Sequence, residues 1–316
     1  MNLILEMFPI ALMFGAPIVI AALGGLFSER SGIVNVALEG IMMIGAFAAA
    51  SVTVLLEPSL PGFAPWIGIV AGMLAGLVFS SIHAFTSINL KADQVISGTA
   101  LNILAGGLTV YLCQIFFRQQ RTRAFSSGLR KITVPFLEDL PLVGKMFFRE
   151  IYPTFYVALA LVVLTWFVVF KTPFGLRLRS CGENPQAAAS MGIRVHGMRY
   201  AGVLLSGLFA GLAGSTMVLT QDIQFTVTSI HGTGFIALAS LVFGKWSPWG
   251  VLAAGMFFGF SQTLSLYAKD IPFLEKLPTE AFYVLPYVLT IVALILFAGK
   301  TVGPKAAGEI YDQGKR

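Results

Sequence analysis

The sequence predicts an all-α polytopic membrane protein of about nine transmembrane helices, and three observations predict it. Of the 316 residues, 56% are hydrophobic and 11% charged, with a mean hydropathy of +0.82, whereas a soluble domain carries roughly 25% charged residues. The apolar residues fall in runs close to the ~20 needed to cross a hydrocarbon core as a helix. The basic residues collect between those runs rather than within them.

Taken in order, the expected spans lie near 6–26, 33–56, 64–88, 93–117, 152–170, 199–219, 232–244, 248–268 and 281–299. The first, within MNLILEMFPIALMFGAP, has neither a basic leading region nor a small-residue cleavage pattern, so it reads as a membrane helix rather than a removed signal peptide. The seventh is short and rich in glycine and alanine. It reads as a half-helix or re-entrant segment, which needs protein around its free backbone groups. The whole of 1–316 is read as one membrane domain. Cys113 and Cys181 offer neither a disulfide framework nor metal spacing.

Orientation follows from lysine and arginine. Segment 171–199 carries Lys171, Arg177, Arg179, Arg194 and Arg199 against Glu183, which places it in the cytoplasm with the basic tail from Lys300. The connection 220–231 lacks Lys and Arg and is placed outside; counting back puts the N-terminus outside as well. Segment 118–151 fits this less well, since seven basic and three acidic residues fall on the outer side. An error of one span there would flip the first four.

The helices carry small-residue stripes for close packing in lipid: Gly68, Gly72, Gly76 and Ser80 on the third span, Gly207, Gly211 and Gly214 on the sixth. Polar residues within spans are costly, roughly 2.5–3.5 kcal/mol for a central charge on insertion scales. Glu39 lies in the second span with Asn35 four residues before it, which a continuous helix would place on one face. On the fourth span Gln94, Gly98, Asn102, Ala105 and Thr109 share a face. Asn35, Glu39, Gln94 and Asn102 are therefore candidates for a solute-pathway lining; the alternatives are interhelical hydrogen bonds or residues snorkelling near helix ends. His83, His196 and His231 are scattered singly, and no catalytic or metal site is expected. FAGKT at 297–301 fails as a phosphate-binding loop, because Leu294 stands where its first glycine belongs.

One polar stretch stands apart, GENPQAAASMGI at 182–193. Asn184 suits an N-cap, Pro185 the first helical position and Gly192 a stop just past the end. A short helix is expected over 185–191, lying in the cytoplasmic loop. By itself it is either an ordinary ordered loop helix or a small-surfaced plug for another protein's groove.

TPFGLRLRSCGENPQAAASMGI resembles the cytoplasmic coupling loop, here 171–199, of permease subunits of bacterial ABC importers, in the branch that includes simple-sugar, nucleoside and branched-chain amino-acid permeases. GGLFSERSGIVNVALEGIMMIGAFAA at 24–49 is similar to the nucleoside and simple-sugar permeases, and LKADQVISGTALNILAGGLT and GTGFIALASLVFGKWSPWGVLAAGMFFGF resemble further blocks of that family. The resemblance implies that Gly182, Glu183, Asn184, Pro185, Gln186, Ala187, Ala188, Ala189, Ser190, Met191 and Gly192 form a cytoplasmic coupling helix and its flanks, seated in a separate ATPase subunit. It implies an inner-membrane importer of nucleosides, working by alternating access, with ATP and Mg bound by the partner ATPase and no cofactor on this chain. A second permease chain, alike or unlike, and an extracytoplasmic binding protein are implied as partners besides membrane lipid; nucleic acid is not. This chain looks like the shorter of two unlike permeases and lacks the additional N-terminal helix of ribose-type relatives. The alternatives are a ribose- or galactose-type permease or an ion-coupled secondary transporter using Glu39, with an intramembrane enzyme or a structural scaffold further off.

Overall fold

The computed structural model describes residues 2–138, 141, 143–267, 284, 288, 291–292 and 303–312. The helices in order are α1 (Asn2–Arg30), α2 (Leu38–Leu56), α3 (Ala64–Ala84), α4 (Gln94–Phe117), α5 (Val143–Phe147), α6 (Pro153–Lys171), α7 (Pro173–Glu183), α8 (Pro185–Ser190), α9 (Val195–Gln221), α10 (Thr233–Phe243) and α11 (Pro248–Tyr267). A π-helical turn, Phe85–Asn89, extends α3. Among the described residues the pairing between extended segments is limited to two isolated bridges, Arg121 with Thr226 and Ile132 with Ile151. Among the described residues seven helices are long and apolar enough to cross a membrane, and α10 is a shorter apolar helix. The expected ninth span at 281–299 falls outside the described residues except for four positions.

Burial sorts these helices into a centre and a rim. In α1 and α9, 83% of the apolar window is buried, against 28% in α4 and 33% in α6 and α11. The rim helices turn large apolar residues such as Ile96, Ile103, Phe116 and Phe167 outward, where hydrocarbon rather than water is the solvent they suit.

The centre is built on glycine, as the stripes predict. A Cβ added to Gly76 would lie 2.7 Å from the Gly211 Cα, and one on Gly45 would lie 2.6 Å from the same atom. One on Gly72 would lie 2.6 Å from the Gly45 carbonyl oxygen. Three backbones therefore meet at Gly45, Gly72, Gly76 and Gly211, with the Ser215 hydroxyl set beside Gly72 and Gly45. Contact at this range gives dispersion attraction in a solvent that offers no hydrophobic drive for helices to associate. Gly15 of α1 and Gly259 of α11 repeat the arrangement, a Cβ on Gly259 lying 2.6 Å from the Gly15 Cα.

Hydrogen bonds show which segments share a side of the bundle. Gly308 N–H donates to Gly32 O and Ala306 N–H to Gly182 O, while Arg30 donates to Trp246 O. The end of α1, the segment 172–199, the end of α10 and the tail 303–312 therefore gather together. On the opposite side, Ser126 and Ser127 N–H donate to Glu57 at 2.8 and 2.7 Å, and Thr122 N–H to Phe225 O. Segment 118–129 thus lies across the bundle from 172–199, as the span count requires.

Candidate functional site

The second span does not begin at residue 33 as expected. After α1, Gly32 turns at φ +96°, and 33–37 run into the bundle as irregular chain before α2 starts at Leu38. Asn35 is one cause: its Oδ1 accepts from Ala37 N–H, a local bond that competes with a helix. Asn35 and Glu39 consequently do not share a helix face, which corrects the sequence expectation.

Irregular backbone at membrane depth is tolerated only where its polar groups find partners, and the polar candidates supply them. Gln94 Oε1 accepts from Val34 N–H at 2.7 Å. Asn102 Nδ2 donates to Val36 O at 2.9 Å, and its Oδ1 accepts from Gly40 N–H at 2.8 Å. Between them Gly98 leaves room for the chain, since a Cβ there would lie 2.8 Å from Val36 Cβ. Asn35 Nδ2 donates to Ser206 Oγ of α9 at 2.9 Å. The face of α4 that carries Gln94, Gly98 and Asn102 is thus a row of partners for the break in the chain. His83, which the sequence left without a role, joins it through Val34 O and Ser97 Oγ, each at 3.1 Å.

Glu39 reaches in another direction. Its Oε1 accepts from Gly232 N–H at 2.8 Å and its Oε2 from Gly234 N–H at 2.7 Å. These amides open α10, so a carboxylate from α2 caps the positive end of the short helix. Gly234 permits the approach, a Cβ there lying 2.5 Å from Glu39 N. α10 then runs to Trp246, whose indole donates to the buried Glu29 of α1. The short seventh span is therefore a half-helix anchored at each end by a glutamate from the core, and Glu29 was not singled out from sequence.

On the side that holds the tail, α8 spans Pro185–Ser190 with Asn184 as its N-cap, Oδ1 accepting from Ala187 N–H at 3.0 Å. At its end Gly192 has φ +82°. Ile193 N–H returns to Ala188 O and Gly192 N–H to Ala189 O, the paired bonds of a glycine-terminated helix. Pro185 and Ala188 are buried, while Gln186, Ala187, Ser190 and Met191 face outward. The sequence missed α7, which repeats the same start: Thr172 Oγ1 accepts from Gly175 N–H, with Pro173 at the first helical position. α7 packs Leu178, Cys181 and Gly182 inward, and burial pushes the Cys181 thiol above its ordinary pKa. The tail straps this unit down. Gln186 donates to Asp312 O, buried Arg199 donates to Glu309 O at 3.0 Å, and the Tyr311 ring packs on His196 and Arg199.

Comparison with known proteins adds relatives to this geometry. The chain is 47% identical over 308 residues to the guanosine ABC transporter permease protein NupQ of Bacillus subtilis, covering 98% of this chain and 97% of that one. It is 42% identical over 304 residues to the nucleoside ABC transporter permease protein NupC of Lactococcus lactis, covering 96% of each. A putative glucose ABC transporter permease protein of Haloferax volcanii is 35% identical over 80% of this chain and 75% of its own length. Residues 8–294 match the model of the family described as "branched-chain amino acid transport system / permease component", and the chain belongs to that family.

Proposed function

We propose that the chain is the membrane-spanning permease of a nucleoside ABC importer, with ATP hydrolysis on a separate ATPase subunit. The observation that carries this reading is its similarity to two nucleoside permeases, at 47% and 42% identity over nearly the whole of each chain. The sugar alternative has weaker support, in a relative of lower identity and shorter coverage. The ion-coupled alternative loses its motive, because Glu39 has a structural employment at the head of α10.

In this reading α8 and its flanks, 182–192, are the coupling helix. They are capped at both ends, turn Gln186, Ala187, Ser190 and Met191 outward and are tied by the tail to α1 and α9. ATP and Mg sit on the partner, whose closure presses on α8. The basic segment 171–199 and the tail face the cytoplasm, while 220–231 and the N-terminus face out. A binding protein delivers solute on the outer side, and a second permease chain completes the pathway. Asn35, Gln94 and Asn102 act on that pathway by holding the broken entry of α2 rather than by gripping solute. Net transport requires that ATP binding favour one packing of the spans over another, since only differential interaction moves such an equilibrium.

The test is uptake of labelled guanosine and ribose by cells with and without this chain. Loss of guanosine uptake alone supports the proposal. Loss of ribose uptake alone replaces the substrate class, and loss of neither removes it.

A further inference from the structure

A cleft of about 350 Å³ opens on the side of the bundle that holds 118–129. Its walls come from α1 at Phe14, the end of α9 at Gln221, the loop at Asp222 and His231, and α11 at Gln262. Thr233, the first residue of α10, also lines it. This size lies at the lower end of the ~300–1,000 Å³ typical of small-molecule sites, enough for one compact solute. We propose that this cleft is the outer solute subsite of the permease and that it takes an uncharged, hydroxyl-rich molecule of nucleoside size; this rests on the transport reading above.

Three features point to that class. First, the lining includes the start of a half-helix, a place where broken-helix transporters commonly hold solute. Such a helix start normally attracts anions, but here the Gly232 and Gly234 amides are already taken by Glu39. Second, the cleft's described lining includes an acid, Asp222, and no Lys or Arg. Among the described lining residues a phosphate-bearing solute therefore meets the Asp222 carboxylate with only the His231 imidazole beside it. Third, Asp222 is an acceptor that shares the lining with the Ser229 hydroxyl. With the amides of Gln221 and Gln262 it offers the acceptors and donors that sugar hydroxyls and a base edge require. Phe14, Met217 and Leu266 supply an apolar wall for the flat side of such a molecule. The cleft thus suits a nucleoside better than a nucleotide.

The test uses the assembled transporter with its ATPase and binding protein. Cys113 and Cys181 are both buried, so a thiol placed in the cleft by Leu266→Cys or, on the opposite wall, Phe14→Cys is read against a quiet background. Saturating guanosine is expected to slow labelling by a charged thiol reagent at least threefold, guanosine monophosphate to leave it unchanged, and Asp222→Asn to remove the protection. Unprotected labelling at both positions in a transporter that imports guanosine overturns the subsite alone. Equal protection by the monophosphate overturns the charge argument. A transporter that imports no nucleoside overturns the functional reading and the subsite with it.

Discussion

At the scale of single residues, the buried polar groups answer for backbone. Glu39 is the sharpest case. Glu39→Ala leaves the Gly232 and Gly234 amides without their acceptors, at a cost on the order of 1–3 kcal/mol for each orphaned group. Thermal unfolding in detergent is expected to show a clear fall for Ala and a smaller one for Glu39→Gln, which keeps one acceptor. An unchanged melting temperature with lost uptake would instead place Glu39 on the solute path. Glu57 gives a pH dependence. Its carboxyl, receiving bonds from Ser126 and Ser127, is held below the ordinary carboxylate range. A depressed folded value stabilises the attachment above the unfolded pKa of about 4.3, and that stabilisation is lost as pH falls through the folded value. Hydrogen exchange over 122–129 is expected to rise on acidification from neutral pH to below 4, and Glu57→Gln to show the raised exchange already at neutral pH. The sequence identified Asn35, Glu39, Gln94 and Asn102 because polar side chains in apolar runs are conspicuous. It did not show that three of them serve a break in the chain, because a run of apolar residues reads as helix wherever it starts. The Ser31-Gly32 turn and the Asx bond at Asn35 were the available signals.

At the scale of elements, α8 was legible to within one residue, ending at Ser190 rather than Met191, since its stop and start rest on local chemistry that needs no tertiary partner. α7 carries the same threonine-proline start but was read as loop, because its apolar positions are few and its cover comes from α1 and the tail, far away in sequence. Ala188→Pro removes the bond from Ala188 N–H to Asn184 O and drives a ring into the preceding turn, costing about 3 kcal/mol or more in a helix interior. The protein is expected to insert normally, to lose copurifying ATPase and to transport nothing; uptake at the wild-type rate would separate α8 from coupling. Asn184→Ala is milder, about 1 kcal/mol for a lost cap, and reduced uptake with the ATPase still bound is its expected signature. Tyr311→Ala opens the cover over Arg199, and limited proteolysis of the tail is expected to quicken.

At the scale of the whole molecule, the order of the expected spans through residue 267 agrees with the observed helices, apart from the late start of α2, because hydrophobic length is a strong signal in a bilayer. The pairing of spans was beyond it: glycine stripes say that a helix packs closely, but not against which neighbour. The partner of Gly72 and Gly76 proved to be a junction of α2 and α9, with Gly45 as the unnoticed third member. Gly211→Leu forces a side chain into that junction and is expected to prevent assembly rather than merely slow transport, seen as loss of protein from the detergent-soluble fraction. The same junction constrains how the machine can move. Helices separated by layers of side chains can slide by exchanging rotamers, but backbones in direct contact have no such lubricant. α2, α3 and α9 therefore form the stiff part of the bundle, and under the proposed function a stroke received at α8 would be taken up by the more loosely surrounded α4 and α6.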